Sequence, residues 1–216
     1  MNTFRLTYLV FGATGGTGKH FLAKTLSDGN NVRALVRNPD KIPQQPNLEI
    51  IQGSFTDVNL DCNALVNGVD AVVLMIGDRE TQKTRMICLE LIKKLVPAMR
   101  QHKVNKILFQ AGGLSKPYGG ELSWLLWILR YTIARAFDGQ HKDNEAVMEY
   151  LATEAMDLDW IVHRAGIGSD GASKGTLKRS ATSFSIANHQ DCAEYNYRIL
   201  SDAEAVHTSD FSTYNT

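Results

Sequence analysis

Short runs of consecutive apolar residues alternate along this chain with longer stretches in which apolar residues return every three or four positions. Tyr8 to Phe11 is the first such run. From Gly18 onward, in GKHFLAKTLSDG, the residues Phe21, Leu22 and Leu26 keep helical spacing until Gly29 stops it. VRALVR, Val32 to Arg37, reads as a second strand closed by Asn38 and Pro39, and Leu48 to Ile51 as a third. The alternation goes on: a helix around Asn59 to Val66, a strand at Ala71 to Ile76, a long helix ending near Gln101 and a strand at Lys106 to Gln110. Further on come a helix near Lys142 to Glu154, a strand at Leu158 to Arg164 and a final helix from about Gln190 to Leu200. Strands separated by helices imply a parallel sheet covered on both faces, which explains why the strands are continuously apolar. The expectation is an α/β fold: a doubly wound parallel sheet with helices on both faces, in one domain over residues 1–216, without repeats or linkers.

One region breaks the regularity. AGGLSKPYGG leads into ELSWLLWILRYTIARAFD, an aromatic-rich helical insertion near residues 121–137. Trp124, Leu125, Trp127, Ile128, Leu129, Tyr131 and Ile133 make it apolar around most of the helix, although Arg130 and Arg135 interrupt it. It is shorter than the ~20 residues a membrane span needs. Apolar all-round helices usually lie in a core, so burial is one reading. A lid over a substrate, a homodimer face and a helix lying in a membrane interface are the others.

Composition narrows the partners. With 23 basic and 23 acidic residues in 216 the formal net charge is zero, so no global field draws the chain to nucleic acid or an anionic surface. A small-molecule substrate is the expected partner. Cys62, Cys88 and Cys192 are far apart and form no C-x-x-C, which suggests neither a disulfide framework nor a cysteine metal site and fits a reducing cytosol. The six histidines show no ligand spacing, so no metal is expected. No targeting or transmembrane segment is visible at the N-terminus, and a cytoplasmic location is expected.

The chemistry begins in LVFGATGGTGKH. Gly12, Gly15 and Gly18 form G-x-x-G-x-x-G with Gly16 as a further position lacking Cβ, between the first strand and the first helix. Such glycines allow a tight turn, close approach to a pyrophosphate and close helix–strand packing, while the helix N-terminus presents free N–H groups. Context makes this a dinucleotide motif. GIGSDG, Gly166 to Gly171, fits a commoner spacing but is followed by ASKGTLKRS with no helical period, and reads as a flexible loop at the ligand-binding edge. After the second strand the residue is Arg37, where an acid would favour NAD; its guanidinium suits a 2′-phosphate, with Lys41 as a second charge, so NADP(H) is favoured. Arg33, nearer the strand's start, is read as structural.

FGATGGTGKH, VRALVRNPDK, IIQGSF, VLMIGDR and DLDWIVHRAGIG together resemble the atypical short-chain dehydrogenase/reductases, nearest the NmrA-like and flavin reductase/biliverdin-IXβ reductase types. The resemblance runs over most of Leu9 to Tyr195 and is weakest from Leu114 to Gln140. It implies a Rossmann-type fold with NADP(H) across the carboxyl edge of the sheet, at Gly12, Thr14, Gly15, Thr17, Arg37, Ser54, Phe55, Gly77, Arg79, Ala111, Gly112, Gly166 and Ile167. The chain departs from the pattern in several places. Ser54 stands where Asp is common, Gly112 where biliverdin-reductase-like members carry Ser, and Gly166 where they carry His. The Tyr-x-x-x-Lys pair of typical members is absent.

Hydride transfer to a carbonyl or activated double bond needs a proton for the atom that gains charge, given by a positioned group or by solvent. Tyr118, with Ser115 and Lys116 in the same glycine-rich loop, is the first candidate, and Lys142 an alternative near the nicotinamide ribose. Trp124 and Trp127 are candidate substrate contacts, suited to a flat apolar molecule. The expected function is NADP(H)-dependent reduction of a planar conjugated or carbonyl-bearing molecule such as a flavin, quinone or tetrapyrrole. The rivals are an NADP(H)-sensing regulatory protein and a non-redox enzyme, such as an isomerase, on the same fold.

Overall fold

The computed structural model describes residues 5–214. The expected alternation is present: β1 (Thr7–Phe11), α1 (Gly16–Ser27), β2 (Asn31–Val36), β3 (Leu48–Gln52), α2 (Cys62–Val66), β4 (Ala71–Leu74), α3 (Ile87–His102) and β5 (Lys106–Gly112). Then follow α4 (Trp124–Tyr131), α5 (Asp138–Glu154), β6 (Asp159–Ile167), β7 (Leu177–Ser180), β8 (Ile186–Ala187), α6 (His189–Ile199) and β9 (Thr208–Tyr214). The sheet runs β3-β2-β1-β4-β5-β6-β9-β7, with β8 paired to β6; every pairing is parallel except β7 with β9.

Period-two alternation in the strands divides the core. Leu9, Phe11, Val72, Leu74, Ile107 and Phe109 face α3 and α5, meeting Ile87, Leu91, Leu95, Met99, Val147 and Leu151. Tyr8, Val10, Ala34, Val73, Leu108 and Ile161 face the other way, onto Phe21 and Leu22 of α1 and Cys192 and Ile199 of α6. Both faces are thus dry, as continuous apolar strands require.

Three strands escape the sequence reading. β7 has four residues, β8 two, and β9 is TSDFSTY, too polar for an apolar run. β4 ends at Leu74, two residues short of the expected Ile76, and α5 begins four residues before Lys142. Long-range pairing orders the small strands. β9 lies beside β6 and seats Ser212 against His163, whose Nε2 is 2.8 Å from the serine Oγ and whose Nδ1 is 2.6 Å from Asn196 Oδ1.

α5 is fixed to the sheet's edge by charge. The fully buried Asp143 accepts from the backbone N–H groups of Cys88 (2.9 Å) and Leu89 (3.0 Å), capping α3 from a neighbouring helix, and from Gln82 Nε2 (2.8 Å). Gly139 permits this approach, since a Cβ there would lie 2.1 Å from the Gln82 carbonyl oxygen.

His163 generates a test. Burial pushes its imidazole down to about 4, so the unfolded chain takes up the proton first as pH falls. The stability it contributes is intact above about pH 6.5 and is lost progressively toward pH 4, amounting to about 2 kcal/mol by pH 5. Urea unfolding at pH 7 and pH 5 should show a loss smaller by about that amount in His163→Gln. Equal losses in both proteins would mean that the imidazole is not buried neutral.

Candidate active site

The strand order reverses between β1 and β4, which opens a crevice at their carboxyl ends. At this point β1 turns into α1. Gly12 has φ of +86°, and a Cβ on it would lie 2.2 Å from the Met75 carbonyl oxygen; a Cβ on Gly18 would lie 1.9 Å from the Gly12 carbonyl oxygen. Both positions exclude any side chain. Gly15 caps α1 with no side-chain hydrogen bond, which leaves first-turn N–H groups for a ligand.

A cleft of about 340 Å³ runs from this loop across the sheet edge, lined by Gly15, Gly16, Thr17, Met75, Ile76, Gly77, Gln110, Ala111, Gly112, Gln140, His141 and His189, among others. A second pocket of about 280 Å³ adjoins it, lined almost wholly by apolar groups: Leu114, Leu129, Ile133, Ala134, Ala165, Gly166, Phe184 and Ile186. Phe137, His141, Ala165 and Ile167 line both. The arrangement is an open cleft of mixed polar and apolar lining that adjoins an apolar pocket, with the His141 imidazole shared by both.

Most positions implied for the cofactor converge here. Gly15, Gly16, Thr17, Gly77, Ala111, Gly112 and Ile167 line the cleft, and Gly12 and Gly18 shape its loop. Thr14, in the same turn, is exposed. Arg37 and Lys41 lie exposed past β2, and among the described residues neither makes an ion pair or side-chain hydrogen bond. Arg33, by contrast, is tied to Glu49 at 2.6 Å and to the carbonyls of Leu65 and Asn67. Ser54 accepts from Thr56 N–H, and Phe55 packs on the core. Arg79 lies 5.3 Å from the Phe137 ring centroid at the cleft's rim.

The catalytic candidates fare differently. Tyr118 is 54% exposed on the Pro117–Gly120 turn and lines neither cavity; its loop turns outward under the Gly120 N–H to Pro117 carbonyl bond. Lys116 pairs with Glu121 at 3.1 Å. Lys142 pairs with Asp138 at 2.8 Å and faces a separate groove beside Lys83, Arg85 and Arg135, away from the glycine loop. Ser115 is fully buried and is not itself at the cleft surface, but it leads to a residue that the sequence reading passed over.

That residue is His141. Asn144 Nδ2 donates to Ser115 Oγ at 3.2 Å, and that oxygen lies 3.3 Å from His141 Nδ1. His141 Nε2 is buried and has no partner among the described residues. Burial pushes the imidazole down to about 4, so at neutral pH it is uncharged, with one N–H. No spacing in the sequence flags His141, because Ser115 lies 26 residues away.

The two departures at Gly112 and Gly166 acquire physical reasons. A Cβ on Gly112 would point at the His141 ring and Asn144, each 3.6 Å off, so a polar group reaches the same place from α5 instead of from β5. A Cβ on Gly166 would lie 2.5 Å from the Phe184 ring, so an aromatic face occupies the position that a side chain there would take.

α4 is not a core helix. Only Leu126 and Arg130 are buried, whereas Trp124 is 75% exposed and Trp127 56%. Core burial is therefore overturned. Arg130 explains the charge in the helix: it is buried against Glu145 of α5 and Asp138, fastening α4 down by its inner edge. Neither Trp124 nor Trp127 reaches the apolar pocket; Leu129, Ile133, Ala134 and Phe137 supply that wall. Among the described residues no helix is long and apolar enough to cross a membrane.

Fold and site together define a dinucleotide-binding protein. The model of the NAD(P)H-binding family matches residues 12–203, and the chain belongs to that family. It is similar in structure to the oxidoreductase ylbE of Lactococcus lactis (14% identity, 98% of this chain and 92% of that one, TM-score 0.75). It is likewise similar to ChuY, an anaerobilin reductase of Escherichia coli O157:H7 (16% identity, 95% and 96%, TM-score 0.74). Among curated proteins, a 3β-hydroxysteroid dehydrogenase/Δ5→4-isomerase of Mycobacterium tuberculosis is 38% identical over 64 residues, 30% of this chain and only 17% of that protein. These findings agree with the resemblance to atypical short-chain dehydrogenase/reductases.

The exposed indoles set a prediction. Trp127→Ala should cost less than about 1 kcal/mol, against the roughly 3–5 kcal/mol of a buried Trp truncation. Chemical denaturation distinguishes the two, and a core-sized loss would contradict the placement of α4.

Proposed function

We propose that this protein is an NADP(H)-dependent oxidoreductase that reduces a planar, conjugated or carbonyl-bearing small molecule. The observation that carries this reading is the His141 imidazole, uncharged at neutral pH and with no partner on Nε2, in the lining that the cleft and the apolar pocket share. Bound NADPH supplies a hydride from its reduced nicotinamide ring. Phe137, Ile167 and Phe184 offer apolar contacts to the acceptor. His141 donates its N–H to the acceptor oxygen or nitrogen that gains charge, acting as a neutral electrophile rather than as an acid. Ser115 and Asn144 hold its tautomer, and the Arg164 guanidinium, 3.3 Å from the Ser115 carbonyl, steadies that loop. The acceptor's proton comes from water at the open cleft.

NADP(H) in preference to NAD(H) is supported by Arg37 and Lys41, cations free of protein partners among the described residues. A second reading, an NADP(H)-sensing protein that binds a partner, draws support from the outward aromatic face of Trp124, Trp127 and Tyr131. Incubation with NADPH and a panel of flavins, quinones, tetrapyrroles and aldehydes separates the two: oxidation above background is expected, and its absence across the panel would favour sensing.

Two substitutions test the assignments. Arg37→Ala should weaken NADPH binding by about 1.5–3 kcal/mol in calorimetry while leaving NADH nearly unchanged; equal losses would remove Arg37 from the 2′-phosphate. His141→Ala should lower kcat by roughly 10²–10³, the scale of one donor to developing negative charge, with NADPH affinity little altered. His141→Gln, which keeps an N–H donor, should recover part of the rate. Full activity in His141→Ala would eliminate the residue from the mechanism.

A further inference from the structure

A second histidine faces the same cleft at its opposite end, and nothing above uses it. His189 opens α6, after the N-cap Asn188, and its half-buried ring lies across the glycine loop. A Cβ on Gly16 would be 2.5 Å from its Cε1 and Nε2 and 2.7 Å from its Nδ1, so Gly16 is needed for this ring to come so close. Thr17 Oγ1 is 3.3 Å from His189 Nδ1.

The hydrogen bonds behind that contact all run one way. Ser212 hydroxyl donates to His163 Nε2 (2.8 Å), and His163 Nδ1–H donates to Asn196 Oδ1 (2.6 Å). Asn196 Nδ2 donates to Gln110 Oε1 (2.7 Å), and Gln110 Nε2 donates to Thr17 Oγ1 (3.5 Å). Thr17 Oγ1 in turn takes up His189 Nδ1, which leaves Nε2 as the ring nitrogen open to a ligand. A hydrogen-bonded chain thus ends in an imidazole at the glycine loop, where α1 already presents free N–H groups. Among the described residues that Nε2 has no acceptor. Lys19 and Asp170, the charged groups beside it, neutralise one another at 2.9 Å.

We propose that His189 is a ligand of the dinucleotide's diphosphate, its Nε2–H meeting the phosphates beside the α1 N-terminus, with its ring held by the Thr17–Gln110–Asn196–His163 chain. This rests on the NAD(P)H-binding site described above. The contact reads phosphate and not the 2′ position, so it serves NADPH and NADH alike, and it ties the seating of cofactor to strand β9 through Ser212.

Titration calorimetry with three probes tests it: NADPH, NADH and 2′-AMP, which lacks the diphosphate. His189→Ala should weaken both dinucleotides about 10-fold and leave 2′-AMP unchanged, with folding checked by thermal melts. His189→Gln, which returns a donor to the same place, should stay within about 3-fold of wild type. Gln110→Met, which cuts the chain, should show a smaller loss of the same pattern. Wild-type affinity for both dinucleotides in His189→Ala, or a parallel loss of 2′-AMP, would overturn the role while leaving the cofactor site standing. A wild-type protein that binds neither dinucleotide would overturn the site as a whole and this role with it.

Discussion

Everything in this molecule depends on how closely the backbone approaches itself where β1 turns into α1. The Gly12 carbonyl oxygen sits where a Cβ on Gly18 would be, at 1.9 Å, and Gly12 in turn leaves no room for a Cβ beside the Met75 carbonyl. A single methyl group at either position would drive the helix off the sheet or part β1 from β4. Because these two strands flank the reversal in strand order, that one contact both seals the core and opens the crevice. The same absence of side chains that lets α1 pack leaves its N–H groups bare for an anion.

The second organising element is α5, which joins structural and chemical roles along one helix. Its buried Asp143 caps α3, its Glu145 holds Arg130 of α4, and between Asp138 and Asp143 the helix presents His141 to the cleft. A carboxylate that satisfies two helix-end N–H groups without solvent holds the backbone rigidly, since withdrawing it would leave those donors buried and unpaired. That rigidity fixes where the imidazole sits in the cleft. It also shows how the site differs from the pattern it resembles: at Gly112 the polar group arrives from α5, and at Gly166 an aromatic ring fills the gap.

Two histidines of the cleft share one arrangement of partners. Each has its Nδ1 beside a hydroxyl, Ser115 for His141 and Thr17 for His189, and each hydroxyl in turn receives a side-chain amide, Asn144 or Gln110. In each case a hydroxyl links a side-chain amide to one nitrogen of the imidazole, an arrangement made of uncharged hydrogen-bonding partners.

By itself the sequence determined whatever depends on neighbours along the chain. Gly12, Gly15 and Gly18 between an apolar run and a helical period specified the turn and its ligand class, and the apolar runs specified β1 to β6, because burial on both faces leaves a mark in every residue. The place of Arg37 in the fold, exposed just past β2, was legible for the same reason. Only the tertiary structure decided the rest. β7 to β9 carry too few apolar residues to be seen alone and exist through pairing with β6 and with one another. The aromatic run of α4 gave no hint of which face would be covered, because it is apolar around most of its circumference and Arg130, the residue that looks like an interruption, is its anchor. The surroundings of His141 and His189 stayed hidden because the hydroxyls beside their rings lie 26 and 172 residues away in the chain. Chain proximity sets backbone conformation, whereas the direction of a proton is set by contacts that only folding brings together.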